Sequence, residues 1–560
     1  MLPCLVLAAG LFAGTALAAD PITLTIDATQ TGYAIPSNYV GLSFSRDSIS
    51  GANSYEQLFN PSKDTYYSHL TNLLAQIGVK HLRTISGTAS TSDPDPTGAQ
   101  DDLFFSFAQA SGVTSIIYSL HLFNEEGTDD VAAAYHIWTT PADKALLESF
   151  ALDNESDWKY HYRSPYPDPV ITGYATPTGY GYKDKWALLY TNIQNYLGNP
   201  SPAAPFSGPD TGSNYPIQTD SSSDTSIPYP GGVPFTLRCA IDQAPRLKTA
   251  TQHYYYGNPG TSMVQTATIA LDPARLTEWN TLYANSLAGA SGWPSGLPFR
   301  LTESSPFLND SGNTNQQIFA TALWGLDYFC WWAGHGCAGI DPFTRVVQYN
   351  SPIFQLPNND FVAAPYAYGM KAFSLASQGT TITAAGIQLS NPNHINWTPY
   401  GVVGANDLYV TLINKTFNPV GSYDAVVTIN KPTGFAPTSA KYIVLTSGAD
   451  GSATATSATL GGATIPTAGS WNGTWNSLAV TNGACSLTVQ AASAVVVDLQ
   501  QDTTPTISVA RSGNKVVITY VGTLLSSTNV TGTYTPVTGA SSPYTIPTIN
   551  VQQFYRAIEN

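Results

Sequence analysis

The sequence predicts an α/β protein with a (β/α)8 TIM barrel, an all-β sandwich domain after it, and a small C-terminal β module. Two patterns support this fold class. Between about residues 38 and 345, strand-like apolar runs alternate with helical stretches, as in a barrel. After about residue 365, short β runs alternate with Gly-, Ser- and Thr-rich turns and show no helical period.

Eight strand-like runs define the predicted barrel. They lie at 39–45, 80–85, 113–122, 149–154, 203–207, 246–253, 298–303 and 337–341. Active sites of such barrels lie at the C-terminal ends of the strands, so residues there are the first candidates for function. A doubly wound parallel sheet is the alternative, but no GxGxxG turn follows the first run.

The stretches between these runs predict helices. Apolar residues recur there at the i, i+3, i+4, i+7 spacing that places side chains on one helix face. Two such sets are Leu70, Leu73, Leu74 and Ile77, and Trp186, Leu189, Tyr190 and Ile193. Residues 314–333 are largely apolar and predict a mostly buried helix.

The chain is therefore divided into five parts. Residues 1–19 are a predicted signal peptide, and residues 20–37 hold an N-terminal strand that joins the sandwich. The barrel is expected at 38–364, the sandwich at 365–500 and the small β module at 501–560. Within the sandwich, the runs at 408–414, 425–430, 442–446 and 494–499 have strand composition.

Residues 2–18 form an apolar stretch that ends in Ala16-Leu17-Ala18, which predicts signal-peptide cleavage near Ala18 or Ala19. A transmembrane anchor is the alternative, but about 17 apolar residues with Gly and Pro among them are marginal for spanning a bilayer. We therefore expect a secreted or periplasmic protein without a membrane-spanning segment.

Export leaves four cysteines, Cys239, Cys330, Cys337 and Cys485. Cys330 and Cys337 are close enough in sequence to form a disulfide in an oxidising compartment, and free thiols are the open alternative. Because they lack the paired histidine spacing of a metal site, the four cysteines predict no metal binding.

Charge and composition limit the expected ligands. Only 11% of residues are charged, against roughly 25% in typical soluble proteins, so hydroxyl, amide and tyrosine side chains must cover the surface. The net charge of -15, from 37 acidic and 22 basic residues, repels polyanions and argues against nucleic acid as a partner. Such surfaces suit secreted proteins that handle neutral polar ligands.

Two glutamates stand at the ends of predicted barrel strands. Asn154-Glu155 follows the fourth strand and Glu303 ends the seventh, and these strands lie across the barrel mouth from each other. Retaining glycoside hydrolysis requires a nucleophile and an acid/base about 5–5.5 Å apart, and Asn154 is the natural donor to the sugar 2-OH. The alternative is that each glutamate is an exposed strand end or an ion-pair partner.

Aromatic residues accompany the glutamates. His253, Tyr254 and Tyr255 fall at the end of the sixth strand, beside the strand of Glu303. A tyrosine hydroxyl there is expected to hold the nucleophile, and either Tyr254 or Tyr255 can supply it. Trp158 is a candidate wall for sugar stacking, with a packing role as its alternative. These side chains and Arg83 complete the predicted substrate-binding set.

Residues 22–500 resemble glycoside hydrolase family 79, the β-glucuronidase and heparanase-like family. That resemblance implies a barrel with a sandwich that includes the N-terminal strand, Glu155 as acid/base and Glu303 as nucleophile, and no metal or organic cofactor. It depends on the order and spacing of the segments 40–44, 82–83, 154–157, 208–210, 253–255, 300–303, 322–324 and 412–415.

Several positions depart from the family pattern. Asp153 stands where the family has Gly, and Ser156 stands where it has Pro. Asp153 would add a negative charge near the acid/base and could hold Glu155 protonated at higher pH. Ser45 and the segments 83–87 and 339–342 also differ, and roughly the last 55 residues fall outside the resemblance. These changes surround the sugar pocket and make the reaction type easier to predict than the sugar.

The predicted function is an exported retaining exo-β-glycosidase, a β-glucuronidase that removes terminal glucuronate or 4-O-methylglucuronate from a glycan or glycoside. One alternative is the same chemistry on a neutral xyloside, glucoside, galactoside or arabinoside, because no reader of the uronate carboxylate is evident. Arg46, Arg83 and Arg345 are the candidate readers. The other alternative is a non-catalytic glycan-binding surface protein, and a monomer is expected throughout.

Overall fold

The computed structural model describes residues 20–51, 57–63, 65–86, 96–121, 128–158, 182–212, 234–308, 312–390, 396–417, 424–448, 452–501, 505–513, 515–547 and 552–558. The predicted signal peptide at 1–19 lies outside these ranges. Within them, no helix is long and apolar enough to cross a membrane.

An eight-stranded parallel barrel follows two N-terminal strands, β1 (Asp20–Ile26) and β2 (Thr31–Ala34). The barrel strands are β3 (Gly41–Ser45), β4 (His81–Ile85), β5 (Ser115–Leu120), β6 (Leu147–Leu152), β7 (Phe206–Thr211), β8 (Leu247–Tyr255), β9 (Phe299–Ser305) and β10 (Ile340–Pro342). They pair in chain order, and parallel bridges from Val40 to Ile340 and from Ser43 to Phe343 join the last strand to the first. Each predicted barrel strand has its counterpart, which confirms the fold class.

Eleven described helices accompany the strands. They are α1 (Asp47–Ser50), α2 (Tyr67–Ile77), α3 (Gly98–Ala110), α4 (Thr128–Thr139), α5 (Pro141–Leu146), α6 (Tyr182–Tyr196), α7 (Phe235–Gln243), α8 (Met263–Ala270), α9 (Ala274–Ser286), α10 (Ala320–Gly334) and α11 (Pro365–Ala376). The apolar face predicted at Leu70, Leu73, Leu74 and Ile77 is the buried face of α2.

Helix α10 is buried on every side because it lies between the barrel and the sandwich. Its Asp327 forms an ion pair with Lys415 at 2.7 Å and accepts hydrogen bonds from Thr398 and Tyr400, all three from the sandwich. The predicted helix began at residue 314, whereas α10 begins at Ala320, since Thr314–Gln316 form a separate 3-10 turn. Residues 365–376 were expected to open the sandwich but form α11, the helix that follows the eighth barrel strand.

The strands after β10 form a short hairpin and then the two sheets of a sandwich. They are β11 (Ile353–Gln355), β12 (Phe361–Ala363), β13 (Thr380–Ile382), β14 (Ile387–Ser390), β15 (Trp397–Val403), β16 (Asp407–Asn414), β17 (Ala425–Ile429), β18 (Ser439–Thr446), β19 (Thr459–Leu460), β20 (Asn476–Leu478), β21 (Cys485–Val489) and β22 (Ser493–Gln500).

The N-terminal segment contributes one strand to each sheet of the sandwich. One sheet has the order β14-β1-β17-β21, and the other runs β19-β18-β22-β16-β15-β13-β2 with β20 beside β18. Central strand β22 is buried on both faces. Its Val495 and Val497 face the core between the sheets, whereas Val496 on the opposite face packs with the barrel core. This arrangement explains its run of valines.

The C-terminal module contains β23 (Ile507–Ser512), β24 (Lys515–Tyr520), β25 (Thr523–Ser527), β26 (Thr535–Pro536), β27 (Tyr544–Pro547) and β28 (Phe554–Ile558). These strands form two three-stranded antiparallel sheets around a small core that includes Ile518 and Leu524.

The four cysteines in the described part of the chain are buried free thiols. Cys330 lies within α10, and Cys337 donates its Sγ proton to the Gly339 carbonyl at 3.1 Å. The disulfide between Cys330 and Cys337, which their spacing allowed, is therefore absent.

Candidate active site

The two predicted glutamates meet at the C-terminal face of the barrel. Glu155 lies three residues beyond the end of β6, and Glu303 lies within β9. One carboxylate oxygen from each and one ring nitrogen of His253 all lie within 4.8 Å of one another. This spacing fits the roughly 5–5.5 Å separation of retaining glycosidases and is too short for the roughly 6.5–9.5 Å of inverting ones.

The backbone leaves regular strand geometry where it presents Glu155. Asp153, Glu155 and Asp210 have φ values of 72°, 54° and 51°, a left-handed conformation that non-glycine residues rarely adopt. The Glu155 amide donates to the Asp210 carbonyl at 2.9 Å, which connects the end of β6 to β7. A Cβ added at Gly212 would lie 2.4 Å from Cγ of Glu155, so the glutamate side chain requires glycine there.

Both oxygens of Glu303 accept hydrogen bonds from buried donors. Arg83 Nη1 donates to Oε1 at 2.7 Å, and the Tyr255 hydroxyl donates to Oε2 at 2.6 Å. The Glu303 side chain is only 6% exposed. The carboxylate is thereby fixed in orientation, and its negative charge has a cationic partner.

Arg83 also organises the neighbouring side chains. Its Nη2 donates to Asn154 Oδ1 at 2.7 Å and lies 3.0 Å from Asp210 Oδ2. Because the Asn154 oxygen accepts from Arg83, the amide nitrogen is the donor that this side chain can offer to a sugar hydroxyl. One buried guanidinium thus orients both Glu303 and the predicted 2-OH donor.

His253 lies between the two glutamates. Its Nδ1 is 3.1 Å from Glu155 Oε1 and 3.7 Å from Glu303 Oε2, and its Nε2 is 3.8 Å from Asp210. Burial alone would lower the pKa of this imidazole, but the Glu303 charge and the contacts with Asp210 and Glu155 raise it to about 9. His253 is therefore a cation at neutral pH and places its positive charge beside both glutamate side chains.

Asp210 balances the positive charges beneath the glutamates. Burial would raise the pKa of its carboxyl group, but the charge of Arg83 and contacts with His253 and Thr302 hold that pKa well below its usual range. The Thr302 hydroxyl donates to Asp210 Oδ1. An ionised, buried Asp210 keeps both Arg83 and His253 charged and in place.

Two further carboxyl groups lie beside Glu155. Burial raises the pKa of Asp153 to about 6, although the Ser156 hydroxyl donates to it and opposes the shift. Burial also raises the pKa of Asp157 to about 7, with a smaller contribution from the charge of Glu155, while the Gly212 amide donates to Asp157 at 2.8 Å. Because burial favours its neutral form, Asp153 is a weaker source of negative charge than its sequence position predicted.

The trio of Glu155, His253 and Glu303 has the donor types of a metal site, but its surroundings do not suit a cation. A protonated imidazole has no lone pair to offer, and the pKa of His253 is raised to about 9. The guanidinium of Arg83, 2.7 Å from Glu303, already occupies the place of a positive partner. The cluster is therefore better suited to proton transfer and nucleophilic attack than to metal binding.

Six of the predicted site residues converge: Glu155, Glu303, Asn154, His253, Tyr255 and Arg83. Tyr254 does not, and of the two tyrosines it is Tyr255 whose hydroxyl contacts Glu303. Neighbouring residues of a strand point to opposite faces, and the Tyr254 hydroxyl donates to Glu278 on α9 at 3.2 Å. Trp158 ends a short 3-10 turn, but its side chain lies outside the described residues.

Sequence reasoning missed the role of Asp210. The predicted fifth strand ended at residue 207, just before Gly208-Pro209-Asp210. In the structure β7 continues to Thr211, so Asp210 enters the site. An acidic residue shortly after a predicted barrel strand was the available signal.

The candidate uronate readers are largely committed to other contacts. Arg46 is fully buried, 3.2 Å from Asp130 and 2.9 Å from His121, and Arg83 is held by the glutamate cluster. Arg345 lies just beyond β10 and is partly exposed.

No protein-family model matches the chain, and no curated protein matches it in sequence. Among solved structures, it is similar to a 4-O-α-L-rhamnosyl-β-D-glucuronidase from Fusarium oxysporum 12S, with a TM-score of 0.59, 15% identity, and coverage of 85% of this chain and 100% of that one. It is also similar to the GH51 arabinofuranosidase from Xanthomonas axonopodis pv. citri, with a TM-score of 0.59, 13% identity, and coverage of 86% and 100%.

A glycoside hydrolase family 44 endoglucanase from Clostridium acetobutylium ATCC 824 gives a TM-score of 0.56 at 11% identity, with coverage of 86% of this chain and 99% of that one. At such low identities the similarity shows a shared fold. The chain has the barrel-and-sandwich architecture of these glycoside hydrolases.

Proposed function

We propose that the chain is a retaining glycoside hydrolase in which Glu303 is the nucleophile and Glu155 is the general acid/base. The observation that carries the proposal is the close approach of the two carboxylates, within 4.8 Å, at the ends of the fourth and seventh barrel strands. The fold shared with glycosidases of several specificities supports it.

The contacts of each glutamate suggest its role. Glu303 is nearly buried and held at both oxygens by Arg83 and Tyr255, as a nucleophile aimed at one carbon should be. Glu155 is the more exposed of the two, with a side chain 14% accessible, so it can reach a leaving group and later a water molecule.

The reaction would proceed by two displacements. Glu303 attacks the anomeric carbon while Glu155 donates a proton to the departing glycosidic oxygen, which leaves a glycosyl ester on Glu303. Glu155 then takes a proton from water, which attacks the same carbon and frees Glu303. Negative charge passes from Glu303 to Glu155 and back, and the His253 cation lies within 4 Å of both carboxylates throughout.

The proposal is tested by replacing each glutamate. Glu303→Gln and Glu155→Gln should each lose most turnover of an aryl β-glycoside, whereas Glu278→Gln, on α9 outside the site, should not. Azide should restore aryl release to Glu155→Ala and yield a β-glycosyl azide, since the nucleophile remains intact. Unchanged turnover in either Gln variant would end the assignment.

For the sugar, we propose a terminal β-glucuronide or its 4-O-methyl form. The support is the resemblance to family 79 and the similarity in fold to a rhamnosyl-glucuronidase. A neutral sugar is the second candidate, because Arg46 and Arg83 are both committed to internal partners. A panel of aryl glucuronide, xyloside, glucoside, galactoside and arabinoside separates the two: a kcat/KM highest for the glucuronide supports the first.

A non-catalytic glycan-binding protein is the remaining alternative. A carboxylate separation above about 10 Å would favour it, since neither hydrolytic geometry would then fit. The observed spacing argues against this alternative. Binding of a glycan without turnover of any glycoside in the panel would revive it.

A further inference from the structure

A second cluster of potential ligands lies on the helices outside the barrel strands. Asp102 of α3, His136 of α4 and Asp143 of α5 each place one ligand atom within 4.8 Å of the others. His136 Nε2 and Asp102 Oδ1 are 2.8 Å apart. The cluster contains none of the residues assigned to glycoside hydrolysis.

Asp143 is the residue that needs explanation. It is only 3% exposed, and its Oδ2 atom is buried without a hydrogen-bond partner in the described part of the chain. The neighbouring Lys144 does not compensate, because its ammonium group lies 3.6 Å from the ring centre of Trp138. Its side-chain hydrogen-bond contact is with Asp102, which is itself an acid. A buried carboxyl group in such a place is costly unless a proton or another cation neutralises it.

The charged neighbours of Asp143 increase that cost. Asp102 faces it with a second carboxyl group, and the His136 imidazole is the third member of the cluster. The cluster therefore places two carboxyl groups beside one imidazole.

The His136 ring is seated against Gly98, the first residue of α3. A Cβ at Gly98 would lie 2.9 Å from both Cε1 and Nδ1 of the imidazole. Glycine is a poorer helix former than alanine. Its presence at the first position of α3 allows the imidazole ring to approach the helix closely, at some cost in helix stability. The approach holds the imidazole beside the two aspartates.

We propose that Asp102, His136 and Asp143 form a binding site for a divalent cation of the zinc type, with water as the remaining ligand. One imidazole nitrogen with two carboxylate oxygens is a donor set that Zn²⁺ accepts. Bond lengths of about 2.0–2.2 Å place tetrahedral ligand atoms about 3.4 Å apart. Small side-chain rotations bring the present separations, from 2.8 Å to at most 4.8 Å, to that value.

The bound ion would connect helices α3, α4 and α5, the last of which leads into a barrel strand. Helix α5, which carries Asp143, runs directly into β6, the strand that leads to Glu155. The expected consequence of binding is therefore higher thermal stability of the barrel.

Calorimetric titration of Zn²⁺ into the EDTA-treated full chain tests the site. We expect one Zn²⁺ per chain, with binding weakened about 100-fold or more in Asp143→Asn and in His136→Gln. His69→Gln is the matched control, because His69 and Asp360 form a similar pair, 2.7 Å apart, that no third ligand side chain joins among the described residues. This variant should bind Zn²⁺ as the wild type does.

Thermal unfolding supplies a second measurement that does not depend on calorimetry. Zn²⁺ at about 100 times its Kd should raise the melting temperature of the wild type and of His69→Gln by several degrees, but not that of Asp143→Asn. The Asn variant keeps the shape of the side chain and should fold in EDTA. Absence of Zn²⁺ binding, unchanged binding in both ligand variants, or loss of binding in Glu303→Gln instead would overturn the proposal.

Discussion

Replacing Tyr255 with Phe should lower kcat/KM about 10- to 150-fold. The Tyr255 hydroxyl donates to Glu303 Oε2 at 2.6 Å, and both side chains are buried. A hydrogen bond to a charged group contributes about 1.5–3 kcal/mol, and each 1.4 kcal/mol corresponds to a factor of ten. Activity should not vanish, because Arg83 still holds the other oxygen of Glu303.

The assay measures initial rates on the best aryl glycoside of the panel across a range of pH. The Phe variant lacks the hydroxyl that holds Glu303 Oε2, so its kcat/KM should be lower at every pH tested. Tyr254→Phe is the matched control, since this neighbour on the same strand donates to Glu278 instead. Its kcat/KM and pH profile should stay close to those of the wild type.

Equal losses in the two variants would refute this reasoning, because only one of the tyrosines contacts the candidate nucleophile. An unchanged kcat/KM in Tyr255→Phe would refute it as well, and would remove the evidence that this hydroxyl orients Glu303.

Gly212→Ala should lower kcat/KM about 100-fold in initial-rate assays, because its Cβ would lie 2.4 Å from Cγ of Glu155 and displacements near 1 Å can cost that much. Asp153→Asn should stabilise the protein more at pH 8 than at pH 4, by about 3 kcal/mol in urea unfolding. Burial raises the pKa of Asp153 to about 6, so the stability linked to its proton is lost as pH rises from about 4 through 6. Lys415→Met should destabilise the protein by about 3–5 kcal/mol in thermal unfolding, because the charge of Asp327 would stay buried without its cationic partner.

Each of these predictions has its own control. Gly257→Ala adds a Cβ that meets no atom within 4 Å and should leave activity unchanged. A pH-independent effect of Asp153→Asn would contradict the linkage to its proton. The double variant Lys415→Met with Asp327→Asn should recover most of the lost stability, and failure to do so would mean that the ion pair is not the source of the effect.

The barrel was predictable because its strands carry a local pattern. Short apolar runs followed by helical stretches recur eight times, and the glutamates stand at two of the run ends, so strand order alone brought Glu155 and Glu303 to one face. The predicted sandwich strand at 494–499 was recognisable by its valines for the same reason. The valine pattern of this strand did not show that both of its faces are buried, one of them against the barrel.

The sequence could not decide whether Tyr254 or Tyr255 contacts the candidate nucleophile. Alternation along a strand puts them on opposite faces, but which face is inward depends on the register of β8 against β9. In the structure His253 is paired with Glu303 and Tyr255 with Ser305, and both His253 and Tyr255 point to the site. The spacing of Cys330 and Cys337 likewise allowed a disulfide, but both are free thiols in the structure.

By itself the sequence determined the fold class, the order of the barrel strands and the two glutamates, because each is encoded in short runs of residues or in their spacing. Only the tertiary structure decided how charge is arranged around the glutamates. Arg83, Asp210 and His253 come from β4, β7 and β8 and are brought into contact with the glutamates by closure of the barrel. The charge states of these side chains depend on their being buried together, and no short stretch of sequence contains that information.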